Sequence, residues 1–176
     1  MIREEGFGGA SMQTLADEIG LVKPTLYYHV QSKENLLFQV IVSVIDERIG
    51  RWSKVIAQPA SATTRLALLV DEHFAMLGYY QDELVVLQDE LTHLSPEHLD
   101  YVVGRIAVGR DLVRELIEQG CGSGEFDVSD PAAAATAVFA MLNSTIRWYR
   151  PDGRMTPTEL ARETTSLILE GVCAPA

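Results

Sequence analysis

Polar and aromatic side chains between Ser11 and Lys33 have the chemistry needed to contact a DNA groove and its phosphate rims. A lysine can donate a hydrogen bond to a guanine, and a proline ring or threonine methyl group can contact a thymine methyl. Tyrosine, histidine and lysine side chains reach phosphates, as do free N–H groups at the start of a helix. The candidate DNA-contacting residues are Ser11, Gln13, Lys23, Pro24, Thr25, Tyr27, Tyr28, His29 and Lys33.

The pattern around these residues predicts two short helices, a tight turn between them, and the start of a third helix. Ser11 is a residue type that caps helix starts, and Gly20 ends the first helix. Pro24 suits the first turn of the second helix, because its missing N–H is not needed there. Ser32 caps the third helix. Its predicted apolar stripe, which would hold the three helices together, is Leu36, Leu37, Val40 and Ile41.

These residues resemble the DNA-binding domain of the tetracycline-repressor (TetR) family. The family's pattern of a glycine and aromatic pair, L-A, a glycine turn, T-L-Y-x-H-V and K-x-x-L-L is met by Gly6, Phe7, Ser11, Leu15, Ala16, Gly20, Thr25, Leu26, Tyr27, His29, Val30, Lys33, Leu36 and Leu37. In that family, residues of the second helix contact bases, and the tyrosine, histidine and lysine positions contact the DNA backbone. The resemblance covers roughly the first third of the chain and implies a DNA-binding helix-turn-helix.

The resemblance also sets an expectation for the start of the chain. In the family a first helix precedes the glycine and aromatic pair, whereas only Met1 to Glu5 precede Gly6 here. We therefore expect a truncated first helix, which leaves the apolar faces of Leu15 and Leu37 without a partner. A chain with this start is expected to bind DNA weakly, with less effect on its ligand-binding part.

Charge is distributed unevenly along a chain whose formal net charge is −11. Residues 1–54 hold six Lys or Arg against seven Asp or Glu, whereas residues 55–176 hold eight against eighteen. The repulsive negative charge is therefore segregated away from the DNA-reading part. We predict a helix-turn-helix domain with the start of a linking helix over residues 1–54, and a ligand-binding and dimerisation domain over residues 55–176.

The composition is that of a globular protein with its own core, since 47% of the residues are hydrophobic. No apolar run approaches the ~20 residues needed to span a bilayer, and no basic region followed by an apolar stretch begins the chain. Cys121 and Cys173 form no C-x-x-C pair and are expected to stay reduced. We expect a cytoplasmic protein with no membrane partner.

After Pro59 the sequence predicts further helices and no strand, and therefore an all-α fold. The predicted helices cover residues 63–78, 81–94, 96 to about 119, 131–149 and a last helix after residue 156. Ser95-Pro96 and Asp130-Pro131 combine an N-cap with a first-turn proline. Thr156 and Glu159 have the spacing of a capping box, in which the two residues cap each other.

Polar and aromatic residues within otherwise apolar helices are candidates for a ligand pocket, because pockets combine apolar walls with a few orienting polar groups. The candidates are Tyr80, Tyr101, Arg105, Asn143 and Trp148, with Met76, Leu87 and Phe139 as apolar walls. The alternative for each of them is a structural role in helix packing, without contact to a ligand.

The segment N-S-T-I-R-W-Y-R-P-D-G is similar to a TetR subgroup that controls lipid or sterol breakdown and senses acyl-coenzyme A thioesters. The resemblance implies a small-molecule effector that is apolar or of the acyl-coenzyme A type. Arg105, Arg147 or Arg150 would then meet its phosphates. For Arg147 and Arg150 the alternative is to complement the carbonyl end of their own helix.

Two predicted helices near the C-terminus have small and apolar faces. These faces are Ala135, Val138, Leu142, Thr145 and Ile146 on one helix, and Leu160, Thr164, Leu167, Ile168 and Gly171 on the other. Their spacing leaves open whether they pack within the chain or against a symmetric partner. The family resemblance, in which the last two long helices form a four-helix interface, favours a homodimer.

Other chemistry is weakly supported. Glu90 and His93 have the E-x-x-H spacing of di-iron bundles, but no second such pair accompanies them, so we predict no metal. No nucleophile or acid–base pair accompanies His73, and we predict no catalytic residue and no cofactor.

The chain is therefore predicted to be a ligand-responsive transcriptional regulator, most simply a repressor released from a palindromic DNA operator, and not an enzyme. The alternatives are a helical-bundle metalloenzyme or an interaction module that does not bind DNA.

Overall fold

The computed structural model describes residues 11–13 and 30–172. Between residues 31 and 172 the chain forms a short 3-10 helix at Leu91–His93 and six α-helices. The α-helices are α1 (Lys33–Ile56), α2 (Ala62–Tyr79), α3 (Gln81–Asp89), α4 (Pro96–Ser123), α5 (Pro131–Trp148) and α6 (Pro157–Val172). Since this part of the chain holds no strand, the predicted all-α fold is confirmed.

The predicted capping residues lie at the helix starts and bond to free N–H groups there. The Ser32 hydroxyl accepts a hydrogen bond from the N–H of Asn35 at 3.0 Å, and Asp130 accepts from the first turn of α5. At α6 the N–H of Thr156 donates to the Glu159 carboxylate at 2.8 Å, while the N–H of Glu159 donates to the Thr156 hydroxyl at 3.3 Å. This reciprocal pair is the capping box predicted from the sequence.

Two helix ends differ from the prediction. Helix α4 continues past residue 119 to Ser123, because the left-handed conformation that ends a helix is adopted by Gly124, with φ of 78°. The predicted helix over 81–94 ends at Asp89, and the chain tightens into the 3-10 turn, in which the N–H of His93 donates to the carbonyl of Glu90. The chain then becomes extended before Pro96, as the residue before a proline prefers.

Helix α1 lies at the centre of the bundle, where it packs against α2, α3 and α4. Helix α4 also packs against α2 and α5, and α6 packs along α2. One continuous apolar core joins these helices, with Trp52, Phe74 and Leu116 among its fully buried side chains. The predicted domain boundary at residue 54 lies in the last turn of α1 and stays a prediction.

The apolar stripe at the start of α1 serves two cores rather than one. Leu37 and Ile41 belong to the main core, whereas Leu36 packs against a small separate cluster of Met12 and Val30. The prediction that the stripe holds the three N-terminal helices together is thus incomplete, and Leu37, which was expected to lack a partner, is buried in the main core. Helix α1 instead links the N-terminal cluster mechanically to the body of the protein.

The faces predicted for a symmetric partner are largely buried within the chain itself. Those buried residues are Ala135, Val138, Leu142, Thr145, Ile146, Thr164 and Ile168. Of the predicted residues Leu167 on α6 is exposed, and so are two apolar side chains outside the predicted faces, Met141 and Trp148 on α5. We call Met141, Trp148 and Leu167 the exposed apolar face; they line an open groove of about 680 Å³ between the two helices.

The loop after α4 is held by a carboxylate and an aromatic ring. Both oxygens of Glu125 accept hydrogen bonds from the start of α2, from the N–H groups of Ala62 and Thr63, each at 3.0 Å. These bonds lower the pKa of Glu125 to about 2. The ring of Phe126 packs directly onto Gly120, where an added Cβ would lie 2.1 Å from the ring. The glycine is thus required by this contact.

Gly120→Ala and Gly122→Ala are expected to change stability in opposite directions. A methyl group at Gly120 displaces the buried ring of Phe126 and should lower the free energy of unfolding by about 1–3 kcal/mol. At Gly122 the added Cβ meets no atom within 4 Å, so the gain in helix propensity should raise stability by up to about 1 kcal/mol. Urea denaturation measures both. Equal stabilisation of the two variants would contradict the packing of Phe126 on Gly120.

Candidate functional site

A cavity of about 350 Å³ opens between α1, α3, α4 and α5. This volume is within the range of small-molecule sites, which begins near 300 Å³. Its walls are apolar, formed by Leu87, Leu91, Ile106, Ala140 and Ile146. Polar groups occur at a few positions, namely Arg48, Gln88, Asn143, Ser144 and Arg147. The lining therefore suits a ligand with an apolar body and a polar group.

The most unusual residue of the lining is Arg48, whose side chain is only 2% exposed. Its Nη1 donates to Oδ1 of Asn143 at 2.9 Å, and its Nε has no hydrogen-bond partner. Burial lowers the pKa of Arg48 to about 10, so the guanidinium still carries its charge at neutral pH. In the described part of the chain no carboxylate forms an ion pair with it.

Two aromatic rings hold the guanidinium in place. Its central carbon lies 5.3 Å from the ring centroids of both Trp52 and Phe139, and the two rings meet edge to face with centroids 6.1 Å apart. The quadrupole of an aromatic ring attracts a cation over its face. The rings therefore stabilise the charge of Arg48 in part, but they offer no hydrogen-bond acceptor.

A chain of hydrogen bonds connects the cavity to its rim. The Gln88 amide donates to the backbone carbonyl of Asn143 at 2.8 Å and accepts from Nε of Arg147 at 3.2 Å. Arg147 also pairs with Asp89 at 2.9 Å while its side chain stays 67% exposed. The rim of the cavity thus carries a solvated arginine, in contrast to the buried Arg48.

Behind the cavity, His73 is buried and neutral. The Thr145 hydroxyl donates to the carbonyl of Leu142 at 2.7 Å, so it accepts from Nε2 of His73, which lies 3.0 Å away. Burial and then the nearby charge of Arg48 lower the pKa of His73 to about 3. His73 therefore adds no charge beside the guanidinium.

The predicted ligand-binding residues do not share one cavity. Leu87 and Asn143 line the cavity, and Phe139 lies behind it against Arg48. Met76 is buried in the main core, and Tyr80 lines a separate groove on the other side of α1. The remaining three lie outside: Tyr101 is half exposed, Arg105 pairs with Asp46, and Trp148 belongs to the exposed apolar face. Their assignment to ligand binding stays a prediction.

Arg48 was not among the ligand-binding residues predicted from the sequence, although its position in the helix indicates that it is buried. It lies three residues after Ile45 and four before Trp52, and both of these are buried. An arginine in the middle of an apolar stripe lies on the face of the helix that packs against the core, so its charge is expected to be buried. That pattern was available from the sequence, whereas the groups that surround the guanidinium come from distant helices.

Most of the predicted DNA-contacting residues lie outside the described residues, namely Lys23, Pro24, Thr25, Tyr27, Tyr28 and His29. Of the described ones, Ser11 and Gln13 are exposed, and Lys33 lies at the start of α1. The DNA contacts of all nine stay a prediction.

The start of α1 is tied to α4. Next to Lys33, Oε1 of Glu34 accepts from the N–H of Ser95 at 3.0 Å and from Nδ1 of His98 at 2.7 Å. Burial opposes ionisation of Glu34, but these hydrogen bonds outweigh it and lower its pKa. The His98 ring stacks on Phe38 with centroids 3.8 Å apart. We call Glu34, Phe38, Ser95 and His98 the α1–α4 latch.

The other candidates show no further chemistry. Nδ1 of His93 lies 3.0 Å from Oε2 of Glu90, within one turn. Across the described residues no group of three or more His, Cys, Asp or Glu side chains is placed to hold a metal ion. Within the same residues no helix has the length and apolar character to cross a membrane.

Comparison with family models assigns both parts of the chain. The model described as bacterial regulatory proteins, tetR family, matches residues 1–40. The model described as tetracyclin repressor-like, C-terminal domain, matches residues 59–172.

Individual relatives agree with these matches. The HTH-type transcriptional repressor KstR2 of Rhodococcus jostii is 26% identical over 99% of this chain and 87% of its own length. The crystal structure of the TetR family transcriptional regulator PfmR from Thermus thermophilus is 30% identical, with a TM-score of 0.90 over 96% of this chain and 92% of its own. AibR in complex with isovaleryl coenzyme A and operator DNA has the same fold, at 24% identity and a TM-score of 0.83, over 94% of this chain and 90% of its own.

The titration of His73 should make stability depend on pH. Its pKa falls from 6.5 to about 3 on folding, so the unfolded chain binds a proton that the folded chain excludes. Between these values the free energy of unfolding should fall by up to about 1.4 kcal/mol for each unit that the pH is lowered. His73→Gln, which keeps a donor for Thr145, should flatten this dependence. Urea denaturation from neutral pH down to about pH 4 measures it.

The matched control is His93→Gln on the exposed 3-10 helix, which should keep the wild-type slope. Equal slopes for wild type and His73→Gln would show that His73 is not held neutral by burial.

Proposed function

Because this chain belongs to the TetR family of bacterial regulatory proteins, we propose that it is a transcriptional repressor released from a palindromic operator by a small-molecule effector. The observation that carries the proposal is the match of both parts, a DNA-binding model over residues 1–40 and a regulator model over residues 59–172. The protein is not an enzyme on this reading and acts in the cytoplasm, where the DNA is.

On the DNA side, the segment from Lys23 to His29 enters the major groove, and Lys33 holds a phosphate. The N–H groups at the start of α1 and at the helix after Ser11 add further phosphate contacts. In a dimer the two reading helices must be about 34–36 Å apart, or a multiple of this, to reach successive major grooves. A change in their separation therefore releases the operator.

The α1–α4 latch gives the effector a route to the DNA-reading part. Helix α4 lines the cavity with Ile106 and, at its first turn, holds Glu34 beside Lys33. Helix α1 lines the same cavity with Arg48. A ligand that shifts α4 relative to α1 therefore moves the start of α1. The coupling free energy required is about 1 to 3 kcal/mol.

The effector class follows from the cavity lining and from the relatives. Five apolar side chains and a few polar groups suit a small apolar molecule or an acyl chain. AibR has been seen with isovaleryl coenzyme A together with operator DNA, and we extend an acyl-coenzyme A type of effector to this chain. The solvated Arg147 at the rim is placed to meet phosphates that stay outside the cavity.

The exposed apolar face supports a homodimer through α5 and α6. Leu167 is 64% exposed and Trp148 is 52% exposed, which is unusual for large apolar side chains that lie close together. A symmetric partner would cover them by placing its own α5 and α6 in the groove, as a four-helix interface does. The small residues predicted for this contact pack within the chain instead.

Operator binding tests the proposal through Lys23 and Lys33. Lys23→Ala should relax preference at one operator position, at a cost of about 1 to 3 kcal/mol, because it removes a base contact. Lys33→Ala should weaken binding to all sequences alike, because it removes a phosphate contact. It should also lower, by about one, the slope of the logarithm of the binding constant against the logarithm of the salt concentration. Fluorescence anisotropy with a selected operator and its point variants, over a range of salt, measures both effects.

Equal affinity of the wild-type chain for all duplexes of a random library, measured at low salt where phosphate contacts are strongest, would overturn the repressor function. Identical salt slopes and unchanged preference in the two variants would overturn only the roles given to Lys23 and Lys33.

The dimer is tested by Leu167→Glu. Because Leu167 is solvent-exposed within the single chain, the glutamate should leave the protomer folded, but in a dimer it would bury an unpaired charge. Analytical ultracentrifugation should therefore show a folded monomer. Val103→Glu, a matched exposed apolar position on α4, should stay dimeric. A Leu167→Glu protein that sediments as a dimer would place the interface elsewhere.

A further inference from the structure

We propose that Arg48 is the receptor for a carboxylate, so that the effector is an organic acid whose apolar body fills the cavity between α1, α3, α4 and α5. The inference rests on the proposed function and narrows it, in that a free organic acid takes the place of the acyl-coenzyme A thioester as the effector in this cavity. Its basis is a buried cation that lines a cavity and has no anion beside it.

The charge of Arg48 is incompletely compensated. Within the described residues its one hydrogen bond goes to the neutral amide of Asn143, and its buried Nε makes none. A guanidinium has five N–H donors, and a buried charge without an ion pair is costly to desolvate. Trp52 and Phe139 attract the cation, but rings cannot accept its remaining hydrogen bonds as an oxygen can. An anionic oxygen in the cavity would supply the missing acceptor.

The donors at this point fit a carboxylate better than a phosphate. Asn143 uses Oδ1 to accept from Arg48, which leaves its amide N–H groups to donate toward a ligand in the cavity. A guanidinium and one amide match the two oxygens of a carboxylate, whereas a phosphate presents more oxygens and needs more donors. The apolar walls of Leu87, Ile106 and Ile146 then surround the carbon chain.

The location of Arg48 gives the contact a consequence for regulation. Arg48 belongs to α1, Asn143 belongs to α5, and the start of α1 carries Lys33. A carboxylate bound by both residues would contact α1 and α5 at the same time. The acid would thus act on the helix that leads to the DNA, rather than on a peripheral wall of the cavity.

The test compares linear carboxylates from hexanoate to tetradecanoate with the matched alcohols, using thermal shift and calorimetry on the full chain. At least one carboxylate should raise the melting temperature of the wild type and bind about tenfold or more tightly than its alcohol, because charge-assisted hydrogen bonds are the stronger ones. Coenzyme A thioesters of the same acids form a third set, in which the carboxylate is replaced by a neutral carbonyl.

Two variants separate recognition from folding. Arg48→Met keeps an unbranched side chain as far as the position of Nε and removes the charged end, so it should melt at or above the wild-type temperature and lose the preference for the carboxylate over the alcohol. Asn143→Asp places a carboxylate of the protein beside Arg48, and it should raise the melting temperature and abolish the response to added carboxylates. Asn143→Asp keeps the inference testable even if Arg48→Met does not fold.

Arg51→Gln is the control. It removes a guanidinium from the same helix, one that already pairs with Glu47 and Glu72, and it should respond to carboxylates as the wild type does.

The inference is overturned if no carboxylate shifts the wild type, if alcohols or thioesters bind as tightly as the acids, or if both Arg48→Met and Asn143→Asp keep the preference for acids. The assay contains no DNA, so its outcome is independent of operator binding. A chain that binds operator but ignores carboxylates would lose this inference and keep the proposed function.

Discussion

A cation buried where α1 meets α4 and α5 must be held by aromatic faces and one amide, because in the described part of the chain no carboxylate pairs with it. Several features follow from this constraint. Trp52 and Phe139 both place their ring centroids 5.3 Å from the guanidinium carbon, and His73 stays neutral because it is buried and because the charge of Arg48 lies nearby. Free energy spent on burying Arg48 is recovered elsewhere, in the continuous apolar core around Leu66, Leu69 and Leu116.

Helix α1 carries this constraint to the other end of the molecule. A single helix of 24 residues begins beside the Met12 and Val30 cluster, continues through the main core and ends at Ile56. Its start is fixed to α4 by the α1–α4 latch, and its middle contributes Arg48 to the cavity. A rigid helix shared by two packed regions transmits a displacement with little loss, since close-packed interiors deform as units. Response to a ligand therefore requires no element beyond those that hold the fold together.

The sequence predicted the fold more fully than the site, for a physical reason. Helix starts depend on local signals, so Ser32, Asp130 and Thr156 were found at their helices. The TetR family was likewise predicted from adjacent motifs, and the family models confirm it. The cavity depends on contacts between residues far apart in sequence, such as Arg48 and Asn143, 95 positions apart. Spacing along one helix also cannot tell which of two apolar faces turns inward, and most of the residues that it selected on α5 and α6 as the dimer contact, although not Leu167, are buried within the chain.

The strongly negative net charge of −11 appears at odds with both partners proposed for the chain, since operator DNA and an organic acid are anions. Screening resolves the conflict, because at physiological ionic strength exposed charges act over only about 8 Å. An incoming anion therefore responds mainly to nearby groups: Lys33 at the start of α1, and at the rim of the cavity Arg147, which pairs with Asp89 but stays 67% exposed. Past the rim, salt screens the charge of Arg48 less than it screens an exposed charge, because the guanidinium is buried. The acidic surface disfavours unspecific binding of anions, while the buried cation retains its attraction for one that is apolar enough to enter.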